Sequence, residues 1–256
     1  MVRGLKLFAD YFRGYEDHYV LIGGAACDVW LSKAEFRPRA TKDLDLVLVI
    51  EAVDSSFIAR FWSFIRDGGY ARSEVSDGPR RCYRFVKPVR EDFPFMLELF
   101  SRKIGLLEQS APGSIFPVAV DSSLSALSAI MLDDTVYSFI LGTRRKESGL
   151  MVLDHRALIP LKAAAYVDLK AKHEHGEHID ANDIVKHRND VLRLSVLLSE
   201  GDRIDIPNKL LLSLRELLAD LEADRPDWLA LRKSLSFPAP LNGGRLIALI
   251  KSVYGA

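Results

Sequence analysis

Asp43 and Asp45 stand two residues apart at the head of DLDLVLVI, the most strand-like stretch of this 256-residue chain. Residues two apart on a strand project to the same face, so both carboxylates point one way. Aspartate suits a strand interior poorly, and two on one face repel each other, so a counter-charge is needed. A divalent cation supplies it well, because Mg²⁺ takes hard oxygen ligands and shares them with substrate phosphates. The ordinary reading of an isolated Asp-x-Asp is the wet face of an alternating strand. Here Leu46 to Ile50 are all apolar, as in a central strand covered on both faces. Carboxylates at the mouth of such a strand are harder to assign to solvated surface.

Two further features sharpen the pattern. Gly23-Gly24 follows the apolar run Tyr19 to Ile22 and comes 19 residues before Asp43. Glycines at a strand-to-helix junction let backbone N–H groups approach a phosphate, and a helix N-terminus favours negative charge. A tight turn explains a lone Gly-Gly just as simply. In Met96 to Phe100 (MLELF) a single acid, Glu98, sits among apolar neighbours. A buried glutamate is costly unless paired or metal-bound; the plainer alternative is an acid on the wet side of an alternating strand.

These residues need elements to hold them. Leu5 to Asp17 reads as a short amphipathic helix, Tyr19 to Ile22 as a buried strand and Ala25 to Leu31 as a helix straight after the glycines. Asp43 to Ile50 is the carboxylate strand. Ser55 to Gly68 reads as a helix with a serine start and a glycine stop. Strands are expected at Cys82 to Val89 and Phe95 to Phe100. Further strands are expected around Ile115 to Val120, Val136 to Leu141 and Leu150 to Leu153, the last two joined by a polar turn, Gly142 to Ser148. After Pro160 the character changes to helices: Leu161 to His175 with Gly176 as the stop, Ile184 to Leu198 capped by Asn182 or Asp183, then Leu210 to Ala223, Pro226 to Ser234 and Arg245 to Val253. The expected fold is an α/β (α+β) domain with a mixed sheet over residues 1–155, followed by an all-helical domain over 156–256.

Bulk properties bound the partners. Lys plus Arg equals Asp plus Glu, giving a net charge of zero. That argues against attachment to nucleic acid by bulk charge but leaves room for a local basic patch. The two cysteines, Cys27 and Cys82, lack CxxC spacing, so a disulfide framework or zinc site is not expected and a reducing cytoplasm fits. The N-terminus has no continuous apolar run of signal-peptide type, and no stretch approaches the length of a membrane span.

Taken together, an apolar strand ending in Gly-Gly, an Asp-x-Asp strand and an apolar-Glu-apolar strand resemble the DNA-polymerase-β-like nucleotidyltransferase superfamily. Within it, LIGGAACDVW followed by RATKDLDLVLVI is similar to the AbiEii-type toxin nucleotidyltransferases of abortive-infection and toxin–antitoxin systems. The motifs span roughly residues 15–100. Many superfamily members carry Gly-Ser where this chain has Gly23-Gly24, which removes one hydroxyl contact to phosphate and leaves the backbone amides.

The resemblance implies that Asp43, Asp45 and Glu98 hold Mg²⁺, or Mn²⁺ in its place, across the α-phosphate of a nucleoside triphosphate (NTP). Glu98 would complete the ion on the nucleophile side and could take its proton. Positioning and charge neutralisation would supply most of the catalysis. Lys162, read as the start of the helix after Pro160, matches a family lysine that touches phosphate; a solvated helix lysine is the plainer alternative. Arg39 and Thr41 match the family's Arg-x-Thr-x-Asp pattern, with Arg39 reaching phosphate or orienting the carboxylates. Lys186 and Asp190 match a later helix motif that contributes to nucleotide binding. Equally, they could form a helix-face ion pair, with Asp183 as an N-cap.

The implied reaction is transfer of a nucleoside monophosphate from an NTP to an acceptor hydroxyl, with RNA such as a tRNA 3′ end as the acceptor and a cognate antitoxin as partner. Transfer to a small molecule or protein side chain, and a non-catalytic nucleotide- or antitoxin-binding module, are the alternatives. His173, His175 and His178 invite a metal reading, but Gly176 breaks their helix and a polar loop explains them. Arg144 to Lys146 reads as a solvated hairpin tip. Arg80, Arg81, Arg84 and Lys87 could guide a polyanion.

Overall fold

The computed structural model describes residues 2–37, 39, 41–72, 82–100, 133–224, 226–235 and 242–256. They form two compact units. The first takes the described residues up to 26, between 41 and 100, and from 133 to 153; the second takes Cys27–Arg39 and the described residues from Asp154 onward.

The first unit is a mixed sheet with helices. Its elements are α1 (Leu5–Tyr11), β1 (Tyr19–Ile22), the start of α2 (Gly23–Lys33), β2 (Asp43–Leu48), α3 (Ser55–Gly68), β3 (Ala71–Arg72), β4 (Cys82–Val86), β5 (Met96–Phe100), α4 (Asp134–Thr143), β6 (Arg144–Glu147) and β7 (Leu150–Leu153). Among the described residues the sheet has seven strands in the order β3-β4-β5-β2-β1-β7-β6. β2 runs parallel to β5 and β1 parallel to β7; the remaining neighbours are antiparallel. The three middle strands are therefore β5, β2 and β1, and their apolar residues are almost fully buried. Aromatic rings from α1, α3 and β1 lock the core: Phe8 lies 4.5 Å from Phe12, 5.3 Å from Tyr19 and 5.6 Å from Phe64 between ring centroids. Such offset and edge contacts add to the area term of burial.

Several elements differ from the sequence reading, each for a local reason. α1 stops at Tyr11, because Gly14 turns into the left-handed region at φ 89° and a separate 3₁₀ turn, Glu16–His18, follows. α3 has the expected span, but its cap is Asp54, whose side chain accepts from Phe57 N, rather than a serine. Val136 to Leu141 is helical, not a strand. Asp133 accepts from the backbone of Thr135 and Val136, starting α4, and Val136, Tyr137 and Ile140 then bury one helical face. The cap and the tertiary surface outweigh the β preference of Val, Tyr and Ile. The hairpin partner of β7 is instead β6, so Arg144 to Lys146 lie on a strand. The tip is Ser148-Gly149, with φ 51° and 77°, the doubly positive pair that a tight hairpin requires. The strand expected around Ile115 to Val120 lies outside the described residues.

The second unit is helical: α5 (His155–Glu174), α6 (Ala181–Ser195), α7 (Asn208–Ala223), α8 (Trp228–Leu235) and α9 (Gly243–Tyr254), with α5 packed on α6 and α7. α5 begins at His155, not after Pro160. Asp154 caps it by accepting from Arg156 N, and Pro160 is accommodated within it. Proline removes the N–H that would reach the carbonyl four residues back; here that Arg156 carbonyl accepts the Tyr254 hydroxyl at 2.7 Å instead. Lys162 consequently sits past the first turns of α5, not at its start. Asp180, not Asn182 or Asp183, caps α6. Among the described residues no helix is long and apolar enough to cross a membrane.

Candidate functional site: a carboxylate pair beside a glycine turn

The strand registers determine which acids meet. β2 pairs with β5 so that Asp43 faces Met96 and Asp45 faces Glu98. β5 pairs with β4 so that Glu98 faces Arg84, and β1 with β2 so that Ile22 faces Asp45. Partners across a ladder project to the same side of a sheet. Arg84, Glu98, Asp45 and, two residues earlier, Asp43 therefore share one face. The Glu98 carboxyl hydrogen-bonds to Asp45, and Glu98 Oε1 accepts from Arg84 Nε at 2.8 Å.

Gly23, next after Ile22, closes the other side. Its φ of +67° is left-handed, and a Cβ built on it would stand 1.6 Å from Asp45 Oδ2. The Asp45 carboxylate thus occupies the space a side chain at 23 would need. Glycine here is required by the neighbouring acid as well as by the turn, a reason separate from the phosphate approach read from the sequence.

The pair is electrostatically costly. Glu98 is only 6% exposed. Burial, and then the charge of Asp45, push it up to about 9, and the Arg84 guanidinium only partly offsets them. Neighbouring carboxylates repel each other when charged, and a cation beside them relieves that cost. The donor set fits Mg²⁺ or Mn²⁺, hard cations bound through one or two carboxylates plus water and substrate phosphates. Among the described residues no group of three or more His, Cys, Asp or Glu side chains could hold a metal ion by itself. The acids brought opposite each other by the register are Asp45 and Glu98, with Asp43 on the same face of β2.

In the helical unit, Asp190 and Lys162 are both buried. Arg39 grips Asp190 through two bonds, Nε to Oδ1 at 2.8 Å and Nη2 to Oδ2 at 3.0 Å, and Lys162 Nζ lies 3.1 Å from Oδ2. Burial would raise the Asp190 carboxyl, but the charges of Lys162 and Arg39 more than reverse it and hold it far below the carboxylate range. His187 is driven down to about 3 by burial and by Lys162, so it is neutral at physiological pH.

The sequence-expected residues thus fall into separate groups. Asp45, Glu98 and Gly23 meet, with Asp43 on their face. Gly24 follows within α2 and is buried, while Thr41 is half-buried just before β2. Lys162, Arg39 and Asp190 form an ion cluster in the second unit. Lys186 is exposed and lies 3.5 Å from Asp183, so the Lys186–Asp190 pair considered from sequence does not form. Arg84 is engaged with Glu98 rather than displayed to a polyanion, Lys87 is exposed, and Arg80 and Arg81 lie outside the described residues. His173, His175 and His178 are exposed. Sequence reasoning missed Arg84 as the partner of Glu98. The signal was present: Arg84, like Glu98, is a lone charge among apolar strand residues.

No protein-family model and no curated protein matches this chain. Among solved structures, the crystal structure of JHP933 from Helicobacter pylori is similar at 14% identity, covering 98% of this chain and 90% of that one, with a TM-score of 0.40. A likeness at that level carries no argument about this chain.

Proposed function

We propose that this chain is a Mg²⁺-dependent nucleotidyltransferase, moving a nucleoside monophosphate from an NTP to an acceptor hydroxyl with release of pyrophosphate. The observation that carries the reading is the meeting of the buried Glu98 with the half-buried Asp45 beside the Gly23 turn. It places two carboxyl groups, and any negative charge they carry, where a fold would otherwise avoid them. When bound, a divalent ion would neutralise that charge and polarise phosphate oxygens. Asp45 and Glu98 would be its ligands, with Asp43 on the same face of β2. Glu98, holding a proton well above the usual glutamate range, is also suited to exchange one with an acceptor hydroxyl.

The reading rests on the first unit alone. Lys162 is committed to Asp190, so a phosphate contact by Lys162 would mean exchanging that partner. RNA as the acceptor, a toxin role with a cognate antitoxin and a cytoplasmic setting follow from the family resemblance. The zero net charge favours instead a small-molecule or protein hydroxyl as acceptor, since bulk attraction to RNA is absent.

The test is incubation of the protein with labelled NTPs, Mg²⁺ and, in parallel, total RNA, proteins and hydroxylated small molecules. Transfer to one acceptor class is expected. Asp45→Asn or Glu98→Gln is expected to reduce it by about 10²–10³-fold, equivalent to several kcal/mol of lost charge stabilisation. Undiminished transfer by either variant refutes the role of the pair. NTP binding without pyrophosphate release, across all acceptors, would point to a non-catalytic module.

A further inference from the structure

Arg84, Glu98 and Asp45 occupy three adjacent strands at one level of the sheet: Arg84 on β4 faces Glu98 on β5, which faces Asp45 on β2. The Arg84 side chain is mostly covered, and its Nε donates to Glu98 Oε1 at 2.8 Å. Glu98 is thus held from both sides, by a cation through one named oxygen and by Asp45 through the carboxyl group. A glutamate side chain has three rotatable bonds, and beside a second carboxylate its lowest-energy course is to turn away. The arginine fork fixes the plane of a carboxylate as well as adding charge.

We infer that Arg84 is a positioning residue of the carboxylate centre, tethering Glu98 Oε1 so that Glu98 stays turned toward Asp45 and the two acids act as one divalent-cation ligand set. The inference rests on the nucleotidyltransferase reading of that site and adds a residue that neither the motifs nor the resemblance assigns to it. Arg84 touches neither substrate nor metal in this scheme; it acts through Glu98. An ion pair that merely braced the sheet would contribute to stability but leave the metal affinity of the folded protein unchanged.

A double-mutant cycle separates the two, read as Mn²⁺ affinity of the full chain by electron paramagnetic resonance at fixed pH, with a thermal melt on each variant. Arg84→Met is expected to weaken Mn²⁺ binding by about tenfold, a size typical of coupled neighbours. Arg84→Lys, which keeps the charge, is expected to recover most of it. In the Glu98→Gln background, Arg84→Met is expected to change Mn²⁺ affinity by less than about twofold, because the residue through which it acts is gone. Equal effects in both backgrounds, or no loss in Arg84→Met, overturn the role of Arg84 while leaving the carboxylate site standing. If Arg84→Met does not fold, the cycle is closed with Arg84→Gln, which removes the charge but keeps a polar side chain: a larger loss of Mn²⁺ affinity in the wild-type background than in Glu98→Gln supports the tether, and equal effects overturn it. Wild-type protein that takes up no Mn²⁺ overturns the nucleotidyltransferase reading itself, and the tether with it.

Discussion

Alanine at position 23 would place a methyl carbon 1.6 Å from Asp45 Oδ2 on a backbone at φ +67°. The clash and the left-handed strain act together, so Gly23→Ala is expected to cost about 2–4 kcal/mol of stability. Much of that cost belongs to the acid rather than to the turn. Gly23→Ala/Asp45→Ala should therefore be more stable than the sum of the two single variants predicts, by about 1 kcal/mol or more, measured by urea unfolding. Strict additivity would mean that the two residues do not compete for one volume. The same residue-scale logic explains why Glu98 is written into an apolar strand: its neighbours along β5 are buried, and its cross-strand partners, Asp45 and Arg84, are charged.

At the scale of the element, α5 shows how a helix keeps an interior proline. Pro160 leaves the Arg156 carbonyl without its backbone donor, and the Tyr254 hydroxyl of α9 fills the vacancy at 2.7 Å. Removing that hydroxyl leaves the part-buried Arg156 carbonyl without its donor. Tyr254→Phe is expected to cost about 1–2 kcal/mol by thermal or urea unfolding. Pro160→Ala should restore most of that loss in the Tyr254→Phe background, since the backbone N–H returns. An undiminished loss in the double variant would show that the hydroxyl serves something other than the orphaned carbonyl. α4 carries the complementary lesson. Its residues favour a strand by type, and the Asp133 cap with the burial of Val136, Tyr137 and Ile140 makes it a helix.

Across the whole molecule, buried titratable groups set opposing slopes of stability against pH. Glu98 keeps its proton in the folded state up to about 9, whereas an unfolded glutamate loses it near its ordinary value of 4.5. The folded chain thus binds the extra proton, and stability falls as pH rises through that window. His187 works the other way. It stays neutral when folded down to about 3 but takes a proton below 6.5 when unfolded, so stability falls as pH drops from 6.5 toward 3. The slopes oppose between 4.5 and 6.5, and only the Glu98 contribution remains from 6.5 to about 9. Thermal melts without divalent metal are therefore expected to decline from neutral to pH 9 in wild type, flatten in Glu98→Gln, and recover when Mn²⁺ is added. A wild-type curve no steeper than that of Glu98→Gln would contradict the buried, protonated state of Glu98.

The amino-acid sequence by itself determined that Asp43, Asp45 and Glu98 lie on apolar strands, that Gly23 ends one of them, and that the later part of the chain is helical. These follow from local period and from the few residues that start and stop elements. It also placed Asp43 and Asp45 on one face, because that depends only on their spacing. What only the tertiary structure decided is register: Glu98 meets Asp45 rather than Asp43, and Arg84 meets Glu98, because β2, β5 and β4 come together from distant parts of the chain and a one-residue slip would turn each side chain to the other face. Arg39 and Lys162 likewise converge on Asp190 from segments more than a hundred residues apart and from adjoining helices. No local pattern encodes such meetings, since their energy comes from burial and charge pairing that exist only once the chain has folded.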